Sequence, residues 1–496
     1  MTMEEISEPA TQMYFLVHGR AKKDTCWGSA RNQNTTKLPY LPFLCKCPLI
    51  CWARSVKQEL CAILLVFLTT IPAALPAAPP RQQPSGAQQL EQADLAVKGL
   101  RYSELETLLA TMPDGVDRTY FEGILANRAG EVSRSERLLN QAIPALHSNE
   151  RKRTALAIAA LADDYLKLFR YRDAASQYSI LLTRYPGDID SAVLDSIKDD
   201  FGAIQLMADY PPQQIEKTGG IRLKTVHSPI GTFDTVLQVN GVQSPWILDT
   251  GANFSLVSAS LARQLGVKVS EKTAQTKGGT NGLENIVHVG LLPKIELGGA
   301  VIHNMVLLIF DDRSLKITYG PNISYQIQAL LGYPVFQALG SASFTSDGYF
   351  VSDSSDTDTG AFSRMFMNKL TPLVEAGVEG KKLLFTFDTG ANGSELTKRY
   401  YDAFPEQFRK LPLVSVQVGG AGGTKNRKLY RLPQLSMEMG GQRVVLHDVP
   451  VVTSLYGTEL DASYGNLGRD ITAPFASFTV DFSKMRFSLG KPLSPP

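Results

Sequence analysis

The stretch Trp246-Ile247-Leu248-Asp249-Thr250-Gly251-Ala252-Asn253 decides how this chain is read, because its pattern returns further on. The second occurrence is Leu383-Leu384-Phe385-Thr386-Phe387-Asp388-Thr389-Gly390-Ala391-Asn392. In both, an apolar run of strand character delivers an aspartate into a turn, and a glycine permits the bend. Asp358-Thr359-Gly360-Ala361 repeats four of the letters, but the polar Ser354-Ser355-Asp356-Thr357 precedes it and no glycine-rich stretch follows at the same distance. That copy reads as a linker coincidence, since a tight turn needs a strand to aim it.

The repeat extends outward from the aspartates. Val239-Asn240-Gly241-Val242 forms a hairpin turn before the first copy, and Ala376-Gly377-Val378-Glu379-Gly380 holds the same place before the second. Downstream, Gly278-Gly279-Thr280-Asn281-Gly282 answers to Gly419-Gly420-Ala421-Gly422-Gly423. Leu292-Pro293 with Ile295-Glu296-Leu297-Gly298-Gly299 answers to Leu432-Pro433 with Met437-Glu438-Met439-Gly440-Gly441. Last come Leu330-Leu331-Gly332 and Asn466-Leu467-Gly468, at separations of 83 and 80 residues from their aspartates. The matched order marks an internal duplication.

Each unit resembles a retropepsin-like aspartic protease domain, in which a strand, Asp-Thr-Gly-Ala, a glycine-rich flap hairpin and an apolar-apolar-Gly element follow one another. The resemblance covers residues 221–350 and 363–490. Asn466 departs from it, standing where the first apolar residue is usual. The resemblance implies a catalytic pair, Asp249 and Asp388, one from each unit. Thr250, Gly251, Thr389 and Gly390 would support the pair, Gly332 and Gly468 would support the loops, and Gly278, Gly279, Gly419 and Gly420 would lie in the flaps. No cofactor or metal is expected.

The chemistry follows from the residue types. Amide hydrolysis needs an activated water and a proton for the leaving nitrogen. Two adjacent carboxylates sharing one proton supply both, because like charges in contact cannot both ionise. The pair titrates as a unit, with one member as general base and the other as acid. The sequence does not say which is which. Thr250 and Thr389 could bond across the pair. Ala252 and Ala391 stand where pepsin-like enzymes often carry serine, and losing that hydroxyl removes a bond favouring the carboxylate. The expected pH optimum is therefore less acid than pepsin's. Two flaps would close over an extended peptide held by main-chain hydrogen bonds.

Other chemistries find little support. A net charge of +2 gives no argument for nucleic acid. The glycine-rich stretches lack the Lys-Ser/Thr of a phosphate loop. All five cysteines fall in the first 61 residues, which excludes disulfides, thiolate metal sites and a cysteine nucleophile from the remainder. The six histidines do not cluster at metal-ligand spacing.

Before residue 220 the chain changes character. Residues 1–57 have no sustained period. Arg54 and Lys57, an apolar run at 60–71, then Pro72 to Ala78 give the tripartite layout of an export signal. Such a signal fits a translation start near Val56, with 1–55 as a gene-model artefact. The expected location is periplasmic or secreted, the alternative being an uncleaved membrane anchor through 60–71. A linker at 79–89 follows by composition.

From residue 90 the period becomes helical. Ile158, Leu161, Ala162, Tyr165, Ala174, Tyr178 and Pro186 resemble a tetratricopeptide repeat, with Tyr120 to Ala145 a weaker match and a plain bundle as the alternative. Either serves protein contact. The expected organisation is multidomain: a leader at 1–57, a signal or anchor with linker at 58–89, an all-α helical-repeat region at 90–210, and two all-β retropepsin-like acid protease domains at 220–350 and 363–490. Two functions compete. One is an aspartic endopeptidase acting on a peptide or protein substrate. The other is a non-catalytic peptide-binding scaffold that recruits partners through the helices. Both Asp-Thr-Gly sites being intact favours the first.

Overall fold

The computed structural model describes residues 86–277, 284–319, 323–352, 360–420 and 423–493. The leader, the signal, Gly278, Gly279 and Asp358 lie outside these residues. Among the described residues no helix is long and apolar enough to cross a membrane.

Among the described residues seven helices come first: α1 (Gly86–Lys98), α2 (Tyr102–Thr111), α3 (Val116–Arg128), α4 (Val132–Ala142), α5 (Arg151–Lys167), α6 (Tyr171–Arg184) and α7 (Ser191–Met207). The first six join pairwise through the same turn. Leu100, Gly130 and Phe169 each take a positive φ. Beside them, the amides of Arg101, Glu131 and Arg170 reach back to the carbonyls of Ala96, Ala126 and Tyr165. This closes the last turn of each leading helix in a Schellman motif. Small residues set the spacing between partners: Ala162 and Ala174 are fully buried, and a Cβ on Gly123 would lie 2.6 Å from Leu139 Cδ2. Tyr165 and Tyr178 are buried in the same core. Helix α1 begins at Gly86, inside the span expected to be linker. Ala87, Gln88 and Gln89 are compatible with helix, and Gln89 Nε2 bonds Leu108 O and Thr111 Oγ1 on α2.

A large β-rich region follows. It starts at Gln214–Lys217, earlier than the expected 220, with this strand paired to Ala300–Phe310. It is also not purely β. Short helices at Ala259–Gln264, Tyr333–Leu339 and Lys398–Ala403 interrupt it. Tyr333–Leu339 forms because Pro334 presets the first turn straight after Gly332.

Two hairpins carry the aspartate strands. Phe233–Val239 pairs with Val242–Leu248 across Asn240 and Gly241, both at positive φ. Thr371–Val378 pairs with Lys381–Phe387 across Glu379 and Gly380, also both positive. Two-residue turns of this hand match the twist of the flanking strands. One six-stranded antiparallel sheet joins the halves. Its order is Ile221–His227, Tyr349–Ser352, Ser341–Thr345, Ser477–Asp481, Arg486–Leu489 and Ser363–Asn368. At its centre Phe344 pairs with Phe478, their rings stacked at 4.8 Å and 7°. Phe387, the residue before Asp388, packs on Phe478 and Phe487 at 5.6 and 4.7 Å. The shared sheet thus forms the apolar floor under the aspartate loops.

The helices pack on this β region. Lys369 is buried between Asp200 of α7 and Glu459. Lys277 meets Asp199 at 2.8 Å, and a Cβ on Gly202 would sit 3.3 Å from Ala274 Cβ. Tyr102 of α2 packs on Phe366 at 4.8 Å.

Candidate active site

Each aspartate is set by a three-strand arrangement. Val242–Leu248 runs parallel to Ala329–Leu331, which pairs antiparallel with Leu256–Ser258. Lys381–Phe387 runs parallel to Gly465–Leu467, which pairs antiparallel with Glu395–Leu396. The amide of Asp249 donates to Leu331 O at 3.0 Å, and that of Asp388 to Leu467 O at 2.9 Å. Two chain segments separated by about eighty residues thereby fix each loop at the end of its strand.

The two loops meet. Thr250 N donates to Thr389 Oγ1 at 2.9 Å, and Thr389 N donates to Thr250 Oγ1 at 3.1 Å. The hydroxyls pass their own protons onward, Thr250 Oγ1 to Phe387 O at 3.2 Å and Thr389 Oγ1 to Leu248 O at 2.7 Å. Both threonines are fully buried. Their exchange satisfies two amides and two hydroxyls that water cannot reach, so the loops are locked in register.

The glycines are required by proximity. A Cβ on Gly251 would lie 2.5 Å from Asp388 Cγ, and one on Gly390 would lie 2.5 Å from Asp249 Cγ. Each carboxyl therefore rests on the glycine of the opposite loop. Gly332 and Gly468 have the same cause at another crossing. A Cβ on Gly332 would stand 2.7 Å from Ala252 O and Phe254 O, and one on Gly468 would stand 2.8 Å from Ala391 O. Gly419 and Gly420 end a hairpin strand, paired with Thr424 and Gly423. Gly278 and Gly279 fall outside the described residues.

Asp249 and Asp388 are both half-buried, and their carboxyls lie side by side, each against the glycine of the opposite loop. The Asp249 carboxyl is pushed well above the usual carboxylate range, by burial first and then by the charge and hydrogen bond of Asp388. The amides of Gly251 and Ala252, at 2.9 and 3.1 Å from Asp249 Oδ1, oppose the rise. Gly390 N donates to Asp388 Oδ1 at 2.8 Å. The contact between the carboxyls is the geometry in which one proton is held between two acids.

Three further residues belong to the site. Ser255 Oγ accepts from Gly332 N at 3.0 Å, and Ser394 Oγ accepts from Gly468 N at 3.0 Å. Both serines lie six positions after their aspartate, in Asp249-Thr250-Gly251-Ala252-Asn253-Phe254-Ser255 and Asp388-Thr389-Gly390-Ala391-Asn392-Gly393-Ser394, so extending the repeat by two residues would have found them. Asn466 is the third. Its Nδ2 donates to Asp388 Oδ2 at 3.1 Å. In the sequence it stands out only as a departure from the apolar pattern.

Residues 235–335 match the model of a family described as aspartyl protease. This supports an aspartyl protease domain over a span that contains Asp249, Thr250, Gly251 and Gly332. No curated protein matches the chain. Similar solved structures include basic 7S globulin from soybean, at 11% identity and a TM-score of 0.35, covering 55% of this chain and 94% of that one. Conglutin gamma, a basic 7S globulin from lupine seeds, matches at 10% identity and a TM-score of 0.34, covering 55% of this chain and 95% of that one.

Proposed function

We propose that this protein is an aspartic endopeptidase with a single active site built from two tandem retropepsin-like units, Asp249 and Asp388 acting as one dyad. The observation that carries the reading is the juxtaposition of the two carboxyls, each resting on the glycine of the opposite loop and held there by the reciprocal Thr250 and Thr389 bonds. A scaffold has no need of two half-buried acids set side by side, an arrangement whose like charges are costly to keep.

In this reading the ionised carboxylate takes a proton from water as the water oxygen attacks the peptide carbonyl carbon. The protonated carboxyl gives its proton to the carbonyl oxygen, leaving a gem-diol. Collapse of the diol breaks the C–N bond. The amine nitrogen takes the proton held by the first acid, and the second recovers its proton from a diol hydroxyl. The products are a carboxylic acid and an amine, and the dyad returns to its starting state. The hairpins ending near 278–283 and at Gly420–Gly423 would lie over the substrate as flaps. The six paired helices read as tetratricopeptide-like repeats that offer a protein-contact surface. The signal-like segment at 60–71 points to export.

Cleavage of a mixed peptide library by the purified chain tests the reading, with Asp249→Asn and Asp388→Asn as variants. Loss of essentially all activity in each variant supports one shared site. Half the activity surviving in each would replace it with two separate sites, and no cleavage by the unaltered chain would favour the scaffold.

A further inference from the structure

The two halves of the dyad differ in where hydrogen-bond donors stand. On Asp249 both backbone donors, Gly251 N and Ala252 N, point at Oδ1. Among the described residues no N–H faces its Oδ2. On Asp388 the donors are divided, with Gly390 N on Oδ1 and Asn466 Nδ2 on Oδ2. A carboxylic acid needs one oxygen to carry the proton, and an oxygen already facing an N–H is a poor place for it. Asp249 has an oxygen that faces no N–H among the described residues, Oδ2, whereas Asp388 has both oxygens occupied as acceptors.

Asn466 produces the difference. It holds the place that Leu330 holds in the first half: Leu330 is paired with Ile247, two residues before Asp249, and Asn466 with Thr386, two before Asp388. Both side chains are about equally buried. The amide is not there to complete a polar network of its own, because Asn466 Oδ1 is buried and meets no donor among the described residues. Reversing the amide would set that oxygen against a carboxylate, so the carboxylate fixes Nδ2 as the group that faces it.

We infer that Asn466 is a positioning residue that breaks the symmetry of the dyad, holding Asp388 as the ionised base through Nδ2 and leaving the shared proton on Oδ2 of Asp249. The inference rests on the proposed dyad. It replaces, on one side only, the hydroxyl donor missing at Ala252 and Ala391. The upward push on the Asp249 carboxyl has the same direction.

Other charged groups surround the pair. Asp249 faces Asp388 from the opposite loop. Arg469 and Asp470 follow Gly468, with Arg469 over the Phe233 ring at 4.6 Å and Asp470 bonded to Ser394. Glu395 lies on the strand beside Asn466 and is bonded to Tyr456. Asp234 is bonded to Tyr325. These groups are the same with and without the amide, so a difference between variants isolates Asn466.

The test uses the full chain with 13C-labelled aspartate carboxyls, alone and as Asn466→Leu and Asn466→Ser, with a pH profile of kcat/KM in parallel. Removing a donor to the charged form raises that carboxyl's pKa. The lower of the two dyad steps should therefore move up by about one unit in both variants. The acid limb of kcat/KM should follow, costing about tenfold at pH values below it. If Asn466 served only packing, Asn466→Leu would match the unaltered chain and Asn466→Ser would lose melting temperature with an unmoved limb; either result overturns the assignment. The carboxyl titration does not depend on turnover. A chain that cleaves nothing yet shows the shifted step would sink the peptidase reading and leave Asn466 standing, while full activity with an unshifted step does the reverse.

Discussion

The Asp249 half and the Asp388 half share a backbone plan and differ in what surrounds it. Both present aspartate from a hairpin strand, clamp the loop with a parallel strand, and hold the following glycine amide with a serine six residues on. Their surroundings diverge. The first half has Leu330 behind its aspartate, a helix after Gly332, and its hairpin strand Lys268–Lys277 lying under α7. The second has Asn466, a 3-10 turn at Arg469–Ile471, and a hairpin packed beside Lys316–Tyr319 of the first half. The backbone plan is common because loop geometry and threonine exchange tolerate little change. The side chains behind it are free to differ, and the unequal roles proposed for the two aspartates rest on that freedom.

The sharpest way to break the comparison is to remove one acid at a time. Asp249→Asn and Asp388→Asn should each lower kcat/KM by at least about a thousandfold, since groups that act as a unit fail together. The stability of Asp249→Asn should depend on pH as well. The folded-state pKa of Asp249 is raised above its unfolded value. Its stabilising contribution is thus present below the unfolded pKa of about 4 and lost as pH rises through the folded value. At pH 7 Asp249→Asn should therefore raise the melting temperature relative to the unaltered chain, and below about pH 4 the gain should vanish. Thermal denaturation across pH checks both.

The next effect concerns the attachment of the helices. Lys369 is the buried cation between Asp200 and Glu459, so Lys369→Met leaves two acids facing each other. A loss of about 3–5 kcal/mol in chemical denaturation is expected. Smaller still is the serine pair. Ser255→Ala removes one acceptor and should cost about 1 kcal/mol. Ser394→Ala should cost about 2–3 kcal/mol, because Ser394 Oγ also donates to Asp470 at 2.6 Å. Equal losses would show that the added carboxylate contact does not matter. Least is expected from Lys277→Gln. Its partly exposed bond to Asp199 should contribute under about 1 kcal/mol, screened further by salt.

Much of the site was legible because its code is local. The apolar runs before Asp249 and Asp388, the turn residues Asn240-Gly241 and Glu379-Gly380, and the glycines at 332 and 468 all announce themselves within a few positions. Ser255 and Ser394 are equally local, two positions beyond the repeated Asn253 and Asn392. The start of α1 is hidden because Gly86 and the proline-rich run before it resemble linker, while Gln89 is held by a bond to a distant carbonyl. The central pairing of Ser341–Thr345 with Ser477–Asp481 has no local signature. A strand's alternation says that one face is buried but not which strand lies beside it.

The sequence by itself determined that two equivalent aspartate-bearing turns exist and that helices precede them, since period and turn chemistry depend on neighbours along the chain. Only the tertiary structure decided that the two turns meet, that Thr250 and Thr389 exchange hydrogen bonds, and that Asn466 faces one carboxylate while Leu330 stands in its place on the other side. Contacts across about 80 to 140 positions are set by packing and by the need to satisfy every buried donor, which no local pattern encodes.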